Sequence, residues 1–256
     1  MVRCGFRTAG FRNFRLEAAL DAIAQAGYDC VELCLDGHGL AALGADPLRK
    51  LVEELAARRL EVCSFSYHGD GEGRDARWAN IRRSLALARA CGVGVLILNG
   101  DRLAPGEQHD TALAEFIRRA RPLAAEAGPV RLAVEPEPGL AVGDLADMQQ
   151  VLAELPCPPL AVNLDIGHAF LTDDLAASFA SLGPCLVHMH VEDMRRGVHK
   201  HLLPGAGDID LRQVKALADS VGYNGPWVID LFSADADPFV YCGEALRRLR
   251  AIIGED

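Results

Sequence analysis

The sequence predicts an α/β protein that folds as a single (β/α)8 TIM barrel. Short apolar runs alternate with amphipathic stretches about eight times along 256 residues, and half of the residues are hydrophobic. Nearly continuous apolar strands that alternate with helices indicate a parallel sheet covered by helices. Eight such units in about 250 residues are typical of a closed barrel. The first predicted turn, GFRTAGFRN, also lacks the glycine pattern of an open dinucleotide-binding sheet.

The repeated units can be followed along the whole chain. The predicted strands are residues 2–6, 28–35, 60–67, 93–99, 130–136, 160–166, 185–192 and 227–232. The predicted helices are residues 14–27, 46–59, 76–92, 107–128, 144–155, 174–182, 210–222 and 238–253. Several of them carry apolar residues at helical spacing and end at a glycine. No linker or shift in composition divides the chain, so we expect residues 1–256 to form one domain.

Charge and composition argue against several classes of partner. The formal net charge is −10, and no run of Lys or Arg offers a track for a phosphate backbone, so we expect no nucleic-acid partner. No apolar run reaches the roughly 20 residues that span a bilayer, so we expect no membrane association. The eight cysteines include no C-x-x-C pair, and Cys4, Cys30, Cys34, Cys63 and Cys185 lie in apolar runs. This pattern predicts reduced thiols and a cytoplasmic protein, and it leaves open whether the chain forms a homo-oligomer.

Polar side chains recur where the predicted strands end, and in a barrel these ends surround the active site. Glu135, Asp165 and Asp230 follow apolar strand residues, where an unpaired buried carboxylate costs several kcal/mol. Each of them alone could cap a helix or pair with an arginine. Together they predict a divalent cation, because carboxylate oxygens and an imidazole nitrogen suit Mn²⁺, Mg²⁺ or Zn²⁺. The other polar residues at strand ends are Glu32, His68, Asn99, Asp101, Glu137, His168, His188, His190, Glu192 and Asp193.

Three motifs in the C-terminal half resemble those of a known family. They are NLDIGH at strand six, HMHVED at strand seven and PGAGDIDL after it. With a Glu on strand five and an acid on strand eight, they resemble the xylose isomerase-like barrels. That superfamily includes sugar isomerases, ketose 3-epimerases, hydroxypyruvate- and inosose-processing enzymes and an apurinic endonuclease branch. The resemblance implies that Glu135, Asp165, His190 and Asp230 hold one metal ion.

The resemblance also implies an activity. It predicts a sugar isomerase or epimerase that uses one divalent metal ion and no organic cofactor, with a small carbohydrate-like substrate. The cation would stabilise the enediolate that forms when a base removes the proton beside a carbonyl group. Glu135 and Asp230 would be the catalytic pair, one taking the proton and the other returning it. Asp230 departs from the family's glutamate and is one methylene shorter, which leaves its role as a base open.

Further polar residues are candidates for substrate binding. His168 resembles a histidine that contacts substrate in the family, and Arg196, six residues after His190, matches an arginine that holds a substrate hydroxyl in the epimerases. His68 would line the pocket. His188 would act near the substrate or from behind His190, orienting it by hydrogen bonding. The alternatives are a satisfied core histidine for His168 and a solvated loop residue for Arg196.

The segment HKHLLPGAG contains a second histidine pair, His199 and His201. In the endonuclease branch, an Asp-x-His pair at the corresponding place binds a further metal. Here the two imidazoles would bind a second cation, or together with Lys200 they would bind an anionic group of the substrate. The alternative is an exposed loop with no ligand. Asp208 or Asp210 is expected to cap the helix that follows.

Three other functions compete with an isomerase or epimerase. A dehydratase or lyase on an inosose- or dehydroshikimate-like substrate would use the same scaffold, and the Asp on strand eight favours it. An apurinic endonuclease would need histidines at the ends of strands three and four, but strand four ends in LNGD, and the net charge opposes DNA binding. A barrel that has lost catalysis and only binds ligands is the third alternative.

Overall fold

The structure, a computed structural model, describes residues 1–232 and 237–255. Eight parallel strands close into a barrel, which confirms the predicted fold. These strands are β1 (Cys4–Arg7), β2 (Cys30–Cys34), β3 (Glu61–Ser66), β4 (Val95–Asn99), β5 (Arg131–Glu135), β6 (Leu160–Asp165), β7 (Leu186–Val191) and β10 (Trp227–Ile229). They follow each other around the barrel in chain order, and β10 closes it by pairing with both β7 and β1.

Helices connect and cover the strands. They are α1 (Leu16–Ala26), α2 (Ala45–Ala57), α3 (Arg74–Cys91), α4 (His109–Glu126), α5 (Leu145–Glu154), α6 (Ile166–Thr172), α7 (Leu175–Leu182), α8 (Leu211–Ser220) and α9 (Pro238–Ile253). Each of the eight predicted helical stretches contains one of them. Gly27 and Gly92 end α1 and α3 in the left-handed conformation that glycine adopts without strain. The cap of α8 is Asp210, whose side chain accepts from Arg212 N and Gln213 N.

Two elements near the strand ends were not predicted. Helix α6 begins directly after Asp165, and a hairpin, β8 (Asp193–Arg195) with β9 (Val198–Leu202), occupies the segment that the sequence left as a loop. Strand β10 is also shorter than predicted, so that Asp230 follows its last residue. Cys185 lies in a short 3-10 turn before β7 rather than inside a strand. The other four cysteines named above lie buried in β1, β2 and β3, as predicted.

Strand register decides which polar residues stand side by side. Arg7 on β1 pairs with Glu32 on β2, and Asp165 on β6 pairs with His190 on β7. Glu135 on β5 is level with Asn99 on β4. Because the strands are parallel, these residues meet at one end of the barrel, above a core of apolar side chains. In the part of the chain that is described, no helix combines the length and apolar character needed to cross a membrane.

Candidate active site

A cavity of about 450 Å³ opens at the carboxyl-terminal ends of the barrel strands. Its size is that of a small-molecule site, but its walls are mostly polar or charged. The lining residues are Arg7, Arg12, Cys34, Asp36, His68, Asp70, Glu135, Glu137, His168, His199, His201, Asp230 and Phe232. The predicted candidates Glu135, Asp230, His68, His168, His199 and His201 are among them. This arrangement suits a polar substrate rather than an apolar one.

The structure brings the four predicted metal ligands together around one imidazole. His190 Nδ1 lies 3.4 Å from Glu135 Oε2, and 3.9 Å from both Asp165 Oδ2 and Asp230 Oδ2. One nitrogen and three carboxylate oxygens at such spacing could share a single ion. All four side chains are buried, with at most 1% of their surface exposed. Three of them, Glu135, Asp165 and His190, form a geometrically compatible group for metal binding.

Two carboxylate oxygens in this cluster lack hydrogen-bond partners. Asp165 Oδ2 and Asp230 Oδ1 are buried and have no partner within the described residues. A buried acceptor without a partner costs about 1–3 kcal/mol, and more when it is charged. A divalent cation would satisfy such oxygens and offset their charge, so the residues present fit one. Asp165 also caps α6, since its Oδ1 accepts from His168 N at 2.8 Å. One oxygen of Asp165 therefore caps the helix, as the sequence allowed, and Oδ2 is left to bind a cation.

Glu135 is held ionised by its surroundings. Burial alone would raise its pKa, but the His190 and His68 rings beside it hold that pKa well below the usual range. Asn163 Nδ2 donates to Glu135 Oε2 at 2.9 Å, and His68 Nε2 lies 3.5 Å from the same oxygen. The carboxylate is thus oriented by two neighbours and ready to accept a proton or a cation.

Asp230 is bound by an arginine that the sequence analysis did not single out. Arg7 Nη1 donates to Asp230 Oδ2 at 2.8 Å, and only 3% of the Arg7 surface is exposed. Burial would raise the pKa of Asp230, but Arg7, His201 and His190 together lower it below the usual value. The shorter side chain therefore remains near the other ligands while its charge is balanced by a permanent cation.

Three histidines form a second group beside this cluster. His199 Nε2 lies 3.0 Å from His168 Nε2, and His201 Nδ1 lies 2.8 Å from the backbone oxygen of Asp230. One nitrogen from each of His168, His199 and His201 lies within 4.8 Å of the others. Burial and the neighbouring His168 and His201 lower the pKa of His199, which favours its neutral form. Strand β9 of the hairpin brings His199 and His201 to this place, where His199 is exposed and His201 is half-buried.

The remaining two candidates do not line the cavity. His188 is fully buried below His190, where its Nδ1 lies 2.9 Å from Asn163 Oδ1 and its Nε2 lies 3.0 Å from Ser64 Oγ. His188 therefore does not line the cavity, and its position suits a role behind the predicted ligands. Arg196 is exposed at the turn of the β8–β9 hairpin, and its guanidinium packs over the Phe170 ring at 4.4 Å.

The sequence analysis missed residues that complete the polar mouth. Arg7 is the last residue of β1, and Glu32 lies on β2 beside it. Glu192, directly after β7, is fully buried, and burial together with Asp165 raises its pKa well above the usual value. Glu32 and Glu192 could be found from the sequence because they are polar residues at predicted strand ends, but the sequence alone assigns no role to either. Arg7 was hidden because the apolar run was read as ending one residue earlier.

Comparison with known proteins identifies the family. The model of the family described as xylose isomerase-like TIM barrel matches residues 20–252. The chain is 24% identical over 275 aligned positions to the fructoselysine 3-epimerase of Escherichia coli O157:H7, with 100% of both chains covered. A D-tagatose 3-epimerase-like protein of known structure shares the fold at 18% identity and a TM-score of 0.83, covering 99% of each chain. The structure of an IOLI protein with a bound zinc atom gives 15% identity and a TM-score of 0.80, covering 99% of this chain and 98% of that one. This chain belongs to the xylose isomerase-like TIM barrel family.

Proposed function

We propose that this protein is a divalent-metal-dependent epimerase or isomerase of a small sugar-like hydroxy-carbonyl compound. One observation carries the proposal: Glu135, Asp165, His190 and Asp230 meet at the mouth of the barrel, where Glu135 and Asp230 line the cavity and buried carboxylate oxygens lack partners in the described chain. The full-length similarity to a sugar epimerase supports it. A cation held by these four residues would polarise the substrate's carbonyl group and so acidify the adjacent C–H bond.

Two carboxylates, Glu135 and Asp230, would exchange a proton with that carbon. Glu135 and Asp230 come from β5 and from the end of β10, which are separated by β6 and β7 in the barrel. His190 and His68 keep Glu135 ionised, and Arg7 does the same for Asp230, so either can accept a proton near neutral pH. One takes the proton beside the carbonyl group, and the other returns one on the opposite face for epimerisation or at the adjacent carbon for isomerisation. His168, buried beside both Glu135 and Asp165, would contact a substrate oxygen.

The histidine group formed by His168, His199 and His201 would hold a second cation. The lowered pKa of His199 favours a neutral imidazole, which is a metal ligand and a poor partner for an anion. This second group has its own ligands, since none of the three residues belongs to the set around His190, but it adjoins that set, because His201 Nδ1 lies 3.9 Å from Asp230 Oδ2.

The first test follows solvent deuterium into a panel of ketoses. Metal-stripped protein should be inactive and regain activity with Mn²⁺, and the product should keep the substrate's composition while it carries deuterium from D₂O. The Glu135→Gln variant should lose activity about 100-fold or more, because proton transfer by a positioned side chain contributes at least that much.

Glu154→Gln provides a matched control, since Glu154 is an exposed residue at the end of α5 that pairs with Arg121. It should retain full activity. Turnover that survives both metal removal and the Glu135→Gln change would contradict the proposal. A product that has lost one water molecule would instead identify a dehydratase.

A further inference from the structure

We propose that Glu32 is a positioning residue that orients His190 toward the metal ion, an inference that rests on the proposed function. The two residues lie on β2 and β7, on different sides of the barrel. His190 Nε2 lies 2.8 Å from Glu32 Oε2, and both side chains are fully buried. The sequence alone identifies Glu32 only as a polar residue at the end of a predicted strand.

The contact determines which imidazole nitrogen is left for a cation. An ionised carboxylate can only accept hydrogen bonds, so His190 Nε2 must carry the hydrogen and donate it to Glu32. The other nitrogen, Nδ1, then faces the carboxylate oxygens of Glu135, Asp165 and Asp230. Metal-binding histidines are commonly held in this way, with the second ring nitrogen donating to a carboxylate. A ring turned by 180° about its axis would lose that hydrogen bond and withdraw Nδ1 from the cluster.

Glu32 is itself fixed from the other side. Arg7 Nε lies 2.9 Å from Glu32 Oε1, and the same guanidinium donates to Asp230 Oδ2 at 2.8 Å. One buried arginine therefore connects Glu32, the residue behind His190, to Asp230 at the end of β10. Ser64 Oγ lies 3.4 Å from Glu32 Oε2 and adds a weaker contact. The carboxylate behind His190 is held in place before any ligand arrives.

The test measures metal affinity directly rather than turnover. Metal-stripped wild-type protein and the Glu32→Gln variant are titrated with Zn²⁺ by calorimetry in the presence of a competing chelator. The variant should bind Zn²⁺ about 10–100-fold more weakly, as expected when the outer partner of a ligating histidine is lost. Glu154→Gln is the matched control, because it makes the same change at an exposed residue that pairs with Arg121 and takes no part in these contacts, and its Zn²⁺ affinity should equal that of the wild type.

A second measurement reads the hydrogen bond itself. In Zn²⁺-loaded protein with ¹⁵N-labelled histidine rings, the His190 Nε2 proton should give a downfield NMR signal protected from exchange. This signal should persist in Glu154→Gln and move upfield in Glu32→Gln. If Glu32→Gln fails to fold, Glu32→Asp keeps the charge beside Arg7 but withdraws the acceptor by one methylene, and it should weaken Zn²⁺ binding as well.

The outcomes separate this inference from the proposed function. A wild-type protein that binds no Zn²⁺, Mn²⁺ or Mg²⁺ would overturn the metal-dependent function and this inference together. A wild type that binds Zn²⁺, with unchanged affinity and an unchanged Nε2 proton signal in Glu32→Gln, would overturn the positioning role alone and leave the proposed function standing.

Discussion

His190 is the residue on which the chemistry of the barrel mouth converges. Its ring nitrogens lie within 4 Å of carboxylate oxygens from Glu32, Glu135, Asp165 and Asp230. Burial would lower the pKa of this imidazole, but Glu32 and Glu135 raise it well above the usual value. In the metal-free protein, a charged His190 therefore compensates part of the negative charge that a cation would otherwise balance.

This pKa shift predicts how the stability of the metal-free protein depends on pH. A histidine whose pKa is higher in the folded protein than in the unfolded chain stabilises the folded state. The stabilisation is complete at a pH below the unfolded pKa, about 6.5 for histidine, and it is lost as the pH rises through the folded pKa. Urea unfolding in EDTA should therefore show a free energy of unfolding that declines from pH 6 toward alkaline pH. His168, whose pKa is raised by Asp165 and Glu135 despite its burial, adds to the decline.

The His190→Asn variant isolates the contribution of this residue. It should be less stable than the wild type at pH 6, because the buried carboxylates lose their partner, and its decline at higher pH should be shallower. A wild-type stability that rises between pH 6 and pH 9 would contradict this assignment of charge.

At the scale of elements, the β8–β9 hairpin builds one wall of the site. Asp193 at its base is buried and accepts from the backbone nitrogens of Met194, Gly207 and Ile209 at 2.8–3.0 Å. Gly207 is required here, since a Cβ would lie 2.5 Å from the Met194 oxygen. These contacts fix the base of the hairpin against residues 207–209, and β9 brings His199 to 3.0 Å from His168 on α6.

The histidines that the hairpin brings beside His168 predict a second bound metal ion. Elemental analysis of wild-type protein saturated with Zn²⁺ and then desalted should count two ions per chain, one at each group of ligands. His199→Asn should reduce the count to one, because it removes a ligand from the second group only. His109→Asn, which changes a half-exposed histidine at the start of α4, should leave two. A count of one in the wild type would rule out the second ion.

At the scale of the molecule, the chain has a net charge of −10, and acidic residues are also found at the rim of the cavity. Asp36, Asp70 and Glu137 line it, whereas Arg12 and Arg7 are the guanidinium groups among the lining residues. Arg7 is already engaged by Glu32 and Asp230. The mouth thus has little positive charge to offer a phosphate group.

This charge distribution predicts a preference for unphosphorylated substrates. The kcat/KM for a free ketose should exceed that for its phosphate ester by at least about tenfold, because like charges brought together at a binding site are unfavourable. Asp70→Asn, which removes one rim charge, should narrow that ratio. Steady-state kinetics on each ketose and its phosphate ester measure this ratio. An equal or higher kcat/KM for the phosphate ester would show that the rim does bind phosphate.

The sequence predicted the strands and helices of the barrel better than it predicted the arrangement of the site. The apolar periodicity sufficed for the eight strands and eight of the helices, because burial of apolar faces is a local pattern with a period of two or 3.6 residues. It failed for α6 and for the β8–β9 hairpin, which are short and rich in polar residues. The motifs led to His190 and Asp165, but no local pattern could show that Arg196 packs against Phe170.

The sequence alone was enough to predict a (β/α)8 barrel, its family resemblance and the carboxylates and histidines that end strands five to eight. Only the tertiary structure decided which of these groups face each other. It joined Arg7 to Asp230 and Glu32 to His190, residues separated by 223 and 158 positions along the chain. The physical reason is barrel closure: register and strand tilt bring the ends of distant strands to one mouth, and no spacing in the sequence encodes those distances.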